Sequence, residues 1–79
     1  PNPVSKNMIV QYRLSKEENV QLTLFNLNGQ LVKKLIHCQK QTSGDYNKTF
    51  DISDLHVGFY IARFLAGSFS MSMKLVILK

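Results

Sequence analysis

Seventy-nine residues suffice for one domain and leave little room for a second. Hydrophobic residues make up 44% of the chain, enough for a single core and too many for a disordered segment, although a domain this small buries only ~60% of its unfolded surface. Ten Lys and Arg against five Asp and Glu leave a formal charge of +5 with no basic tail, so the charge reads first as a solvated surface and second as attraction to phosphate.

The chain opens on Pro1-Asn2-Pro3, a stiff, turn-prone stretch that reads as a junction. The expectation is a single domain, 1–79, excised from a larger secreted protein whose transport signal lies upstream. From there on the apolar residues alternate. Gly29, Gly44, Gly58 and Gly67 punctuate the alternation, and both prolines fall before it begins. Strands are expected near Met8–Leu14, Val20–Leu27, Gln30–His37, Asp45–Ile52, Phe59–Ala66 and Phe69–Leu78, with a seventh if Pro3–Val4 pairs. Met8, Val10, Tyr12 and Leu14 share one face of the first, and Val20, Leu22 and Leu24 one face of the second. No window repeats its apolar positions at helical spacing; Ser53 to Leu55 could make one helical turn capped by Ser53. The fold class that follows is all-β, an immunoglobulin-like antiparallel β-sandwich of six to seven strands.

Two turns set the pairing. Asn28-Gly29 signals a hairpin; a two-residue loop would pair Leu22 with Leu35 and Phe25 with Val32 but set Lys33 beside Leu24, so a bulge or a three-residue loop is the alternative. A Gly67-Ser68 turn is more decisive. It places Ala66, Phe64, Ala62 and Tyr60 opposite Phe69, Met71, Met73 and Leu75 on the core side. Leu65, Arg63, Ile61 and Phe59 then oppose Ser70, Ser72, Lys74 and Val76 on the other. A slip of one residue would bury Arg63 and Lys74, so the alternation itself fixes the register.

The end of the last strand is apolar on both faces, with Leu75 and Ile77 inward and Val76 and Leu78 outward, between Lys74 and Lys79. Such a segment is either a covered strand whose lysines blunt an edge, or a docking edge. No catalytic framework accompanies it. His37, His56, Asp45, Asp51 and Asp54 are present, but no strained nucleophile turn holds them. Cys38 is single, so no internal disulfide and no metal site is expected, and no cofactor. Val57 to Phe64 is faintly similar to a base-stacking sheet motif, yet the register turns Tyr60 and Phe64 inward, so no nucleic-acid partner is assigned. Carbohydrate binding through Tyr12, Tyr46, Phe25 and Phe59 is the alternative function.

Taken in order, Pro1-Asn2-Pro3, the stretch from Val20 to Leu35 with its Asn28-Gly29 turn, Gly58-x-Tyr60 and Lys74-x4-Lys79 resemble the type A C-terminal sorting domain of the type IX (Por) secretion system, found across Bacteroidetes. The resemblance implies a non-catalytic module at the end of a larger exported parent, often a protease or glycosidase. It implies passage through the periplasm and across the outer membrane to the surface or medium. A sortase-like peptidase would usually remove the domain and the parent be attached to anionic lipopolysaccharide or released. The recognition positions it implies are Gly58, Tyr60, Lys74 and Lys79; the intervening Leu75, Val76, Ile77 and Leu78 complete the terminal signal, and Pro1, Asn2 and Pro3 mark its start. Expected partners are the type IX machinery and its peptidase, with weak self-association through edge strands left open.

Overall fold

The computed structural model describes residues 6–78. Six strands follow one another: β1 (Asn7–Leu14), β2 (Glu18–Asn26), β3 (Leu31–Gln41), β4 (Gly44–Asp51), β5 (Gly58–Ala66) and β6 (Phe69–Ile77). All pairings are antiparallel, in a two-stranded sheet, β1-β4, and a four-stranded sheet, β3-β2-β5-β6. The fold is an all-β sandwich of immunoglobulin-like kind. The seventh strand expected at Pro3–Val4 lies outside the described residues.

Alternation decides which side of each strand is buried. Met8 and Leu14 from β1 meet Val20, Leu22 and Leu24 from β2 and Tyr60, Ala62 and Ala66 from β5 between the layers. Ile52, just past β4, is fully buried, and its N–H donates to the Lys6 carbonyl at 2.8 Å. Thr23 faces outward yet is buried. It sits mid-sheet, flanked in register by Lys34 and Arg63, whose aliphatic stems can cover it.

The β2–β3 hairpin uses the three-residue alternative. The Asn26 N–H donates to the Gln30 carbonyl and the Gly29 N–H to the Asn26 carbonyl, so Leu27, Asn28 and Gly29 form the loop. The Asn26 side-chain oxygen accepts from the N–H of both Asn28 and Gln30, which fixes the longer loop over a two-residue one. Phe25 therefore opposes Leu31 and Leu22 opposes Ile36, after three register shifts along the pair. One falls at Cys38, whose φ of 32° makes it the only non-glycine residue with positive φ among those described.

Lys33 does lie beside Leu24. Because β3 is an edge strand, its side chain escapes the core around the rim: Nζ donates to the Asp51 carbonyl at 3.0 Å and to the Asp54 carboxylate at 2.8 Å. This clasp holds β4 over β3. The Ser53–Leu55 stretch is a turn rather than a helical one. The Leu55 N–H donates to the Ile52 carbonyl, and Asp51, not Ser53, is the capping group, accepting from the Ser53 N–H and hydroxyl.

Candidate functional site on the terminal hairpin

The β5–β6 register matches the expected one at every pair, from Ala66↔Phe69 to Phe59↔Val76. Gly67 makes it possible. Its φ is +58°, a torsion that favours glycine, and an added Cβ would meet only the flexible carboxylate end of Glu18, which can move aside.

The hairpin separates the anticipated signal positions by face. Leu75 and Ile77 are sealed inside, 4% and 0% exposed, and belong to the core. Tyr60 also points inward, opposite Leu75, and its hydroxyl donates to the His56 carbonyl at 2.7 Å. That bond ties the loop before β5 to the core. Gly58 opens β5 with a φ of +147°. A Cβ there would meet nothing within 4 Å, so the glycine is required by its backbone torsion and not by close approach of another chain segment. Lys79, Pro1, Asn2 and Pro3 lie outside the described residues.

The remaining signal positions face solvent. Lys74, opposite Ile61, carries its ammonium 4.8 Å from the centroid of the Phe59 ring. Phe59 opposes Val76, and Phe59 and Leu78 are each 51% exposed. Phe25, Ile61 and Lys74 stand side by side across β2, β5 and β6, with Thr23, Arg63 and Ser72 in the next row. The outward residues of these three strands include no carboxylate: Gln21, Thr23 and Phe25; Phe59, Ile61, Arg63 and Leu65; Ser70, Ser72, Lys74 and Val76. The result is an apolar band bearing cations. Phe59 is the member that motif reading passed over. The Gly67-Ser68 register already placed it diagonal to Lys74, which is the signal that finds it.

Other candidate groups are spent structurally. Asp45 pairs with Arg13 at 2.6 Å, Asp54 with Lys33, and Asp51 with Ser53. Hydrogen bonds from Lys33 and Ser53 respectively hold the Asp54 and Asp51 carboxyls below the usual carboxylate range. Among the described residues no three His, Cys, Asp or Glu converge as metal ligands. Tyr12 and Tyr46 stack on each other, centroids 5.0 Å apart, and Tyr12 packs on Phe64 at 4.9 Å. Of the four rings considered for sugar stacking, these two are turned to each other.

The site is thus an apolar, cation-bearing band on one sheet of a small sandwich. The chain belongs to the family of secretion system C-terminal sorting domains, which it matches over residues 1–78. Its role is that of a type IX sorting signal, which implies contact with that machinery and export across the outer membrane. Neither the curated proteins nor the solved structures yielded a match.

Proposed function

We infer that this domain, as the sorting module of a larger exported protein, is recognised through the outward band of its last hairpin: Phe59, Lys74, Val76 and Leu78. The observation that carries this is the Lys74 ammonium seated on the exposed Phe59 ring, which joins the lysine of the motif and an apolar anchor into one surface. Tyr60, Leu75 and Ile77 serve by holding that surface in shape, with Gly58 setting the start of the strand and Lys79 a further position of the terminal motif. Pro1-Asn2-Pro3 marks the junction with the parent, where a sortase-like peptidase would act, and the parent is a secreted hydrolase displayed on the surface or released.

The test is an export assay in a host with this pathway, using residues 1–79 fused to a Sec-targeted reporter. Phe59→Ala and Lys74→Glu are expected to abolish surface delivery while leaving the circular dichroism and unfolding midpoint of the purified domain in place. Normal export of both variants would remove the band from the account. A carbohydrate role predicts instead that the wild-type domain is retained on insoluble polysaccharide and that Phe59→Ala and Tyr46→Ala lose retention.

A further inference from the structure

The carboxylates of the domain are all committed away from one surface. Asp45 pairs with Arg13, Asp54 with Lys33 and Glu17 with Lys40. Asp51 caps the turn at Ser53, and Glu18 lines the groove between the two layers beside Gly67. The surface left without them is the outward face of the four-stranded sheet. Two register rows define it. Leu31, Phe25, Ile61 and Lys74 stand side by side across β3, β2, β5 and β6, and Lys34, Thr23, Arg63 and Ser72 form the next row. Glu17 reaches this face only at its far corner, where Lys40, opposite Asn19, holds it.

Lys34, Arg63 and Lys74 therefore form a cationic triangle with no carboxylate inside it. Lys34 and Arg63 lie two strands apart, about 10 Å, and Arg63 and Lys74 lie on a diagonal of about 7–8 Å. Lys34 and Arg63 are exposed, and among the described residues neither has an ion pair. Their stems flank Thr23, which is 3% exposed, so the charged heads are held at the outer surface. Like charges gathered on one face repel each other. They stabilise nothing in the isolated domain and favour an anionic partner.

Geometry selects among anions. Adjacent strands are rotated by about 20–25°, so the face turns through about 60–75° from β3 to β6. A planar lipid surface meets Lys34 and Lys74 only in turn, whereas an extended polypeptide follows the twist. A nucleic-acid strand needs several exposed rings among the cations, and the Phe59 ring already lies under the Lys74 ammonium. Carboxylates on every second residue of an extended chain recur at about 6.6 Å, close to the Arg63–Lys74 diagonal. The Arg63 guanidinium can take one of them bidentately.

We propose that the partner reading this face is an acidic, extended polypeptide segment of about seven residues. Its carboxylates meet Lys74, Arg63 and Lys34, and an apolar side chain rests beside Phe59 and Val76. The proposal rests on the reading of the outward band as the recognised surface, and names the chemistry of what recognises it.

The probe is the acetylated, amidated peptide Leu-Thr-Asp-Ser-Glu-Thr-Glu, titrated into the 79-residue chain at about 0.15 M salt and followed by NMR. The Arg63 Nε–H and the amides of Thr23, Lys34, Ser72 and Lys74 are expected to shift, and those of Lys16 and Lys48 to stay in place. The analogue with Asn and Gln in place of Asp and Glu should bind about tenfold more weakly. Arg63→Gln and Lys34→Gln keep stems beside Thr23 and should each weaken binding about threefold without moving the unfolding midpoint. Absence of shifts at millimolar peptide, or the same loss from Lys16→Gln as from Arg63→Gln, would overturn the proposal. Retention on anionic phospholipid vesicles that Arg63→Gln abolishes would give the face to a membrane and overturn it equally. Exclusion of the peptide from the intact parent protein would do the same, by giving the face to a segment of the parent. Failed peptide binding with lost export of Phe59→Ala sinks only this proposal. Peptide binding with normal export of Phe59→Ala and Lys74→Glu sinks only the reading beneath it.

Discussion

Tyr60 and Leu75 face each other across the terminal hairpin, both inside the sandwich, and the Tyr60 hydroxyl reaches the His56 carbonyl at 2.7 Å. One side chain thus packs the signal strand and pins the loop that leads into its partner strand. Tyr60→Phe keeps the ring and removes the hydrogen bond, and should lower stability by about 1 kcal/mol. Tyr60→Ala also removes the ring and should cost about 3–5 kcal/mol. Urea unfolding followed by circular dichroism separates the two; equal losses would mean that the hydroxyl, not the ring, carries the role.

Truncation of the terminal strand has a structural consequence that precedes any effect on export. Removing Leu75 to Lys79 deletes two core residues, Leu75 and Ile77. Each is worth about 2–5 kcal/mol when cut back, against a total of about 5–15 kcal/mol for a folded domain. The truncated chain is expected to show no dispersed NMR spectrum. Loss of export on truncation therefore reports unfolding, whereas loss in Phe59→Ala or Lys74→Glu reports recognition.

Gly67 is predicted to resist substitution chiefly through its torsion. Gly67→Ala meets both a left-handed φ and the Glu18 carboxylate. A destabilisation of about 1–2 kcal/mol from the torsion is expected, with little added by the contact, since the Glu18 carboxylate ends a flexible side chain. Adding Glu18→Ala should therefore recover little of the loss. Full recovery in thermal or urea unfolding would show that the torsion is not strained.

Acid should loosen the rim before the core. The folded-state pKa values of Asp54 and Asp51 lie below their ordinary value of 3.8, Asp54 chiefly through Lys33 and Asp51 chiefly through Ser53. Depressed carboxyl pKa values give stability that is present above the unfolded value and lost as pH falls through the folded one. Unfolding midpoints should therefore decline from about pH 4 downward. Lys33→Met should flatten the part of that decline owed to Asp54, and an unchanged slope would show that the clasp is not formed in solution.

Cys38 sits exposed at an edge-strand bulge with positive φ. A thiol reagent should modify it in the folded protein as fast as in the denatured one. Cys38→Gly should leave stability unchanged or raised, because glycine accepts that torsion without strain.

Much of this was legible along the chain. Alternation named the six strands, and the Gly67-Ser68 turn fixed the last hairpin because any other phase would bury Arg63 and Lys74. Those are local facts, set by a period of two and by what a turn residue permits. The same pattern put Phe69, Met71 and Met73 on the core side, but it could not say that the covering layer stops at β1. Nor could it say that Lys33 leaves the core around an edge, or that the β2–β3 pair shifts register three times. Coverage depends on how many strands the opposite sheet holds and where each strand sits, and these are settled only when segments far apart in sequence pack together.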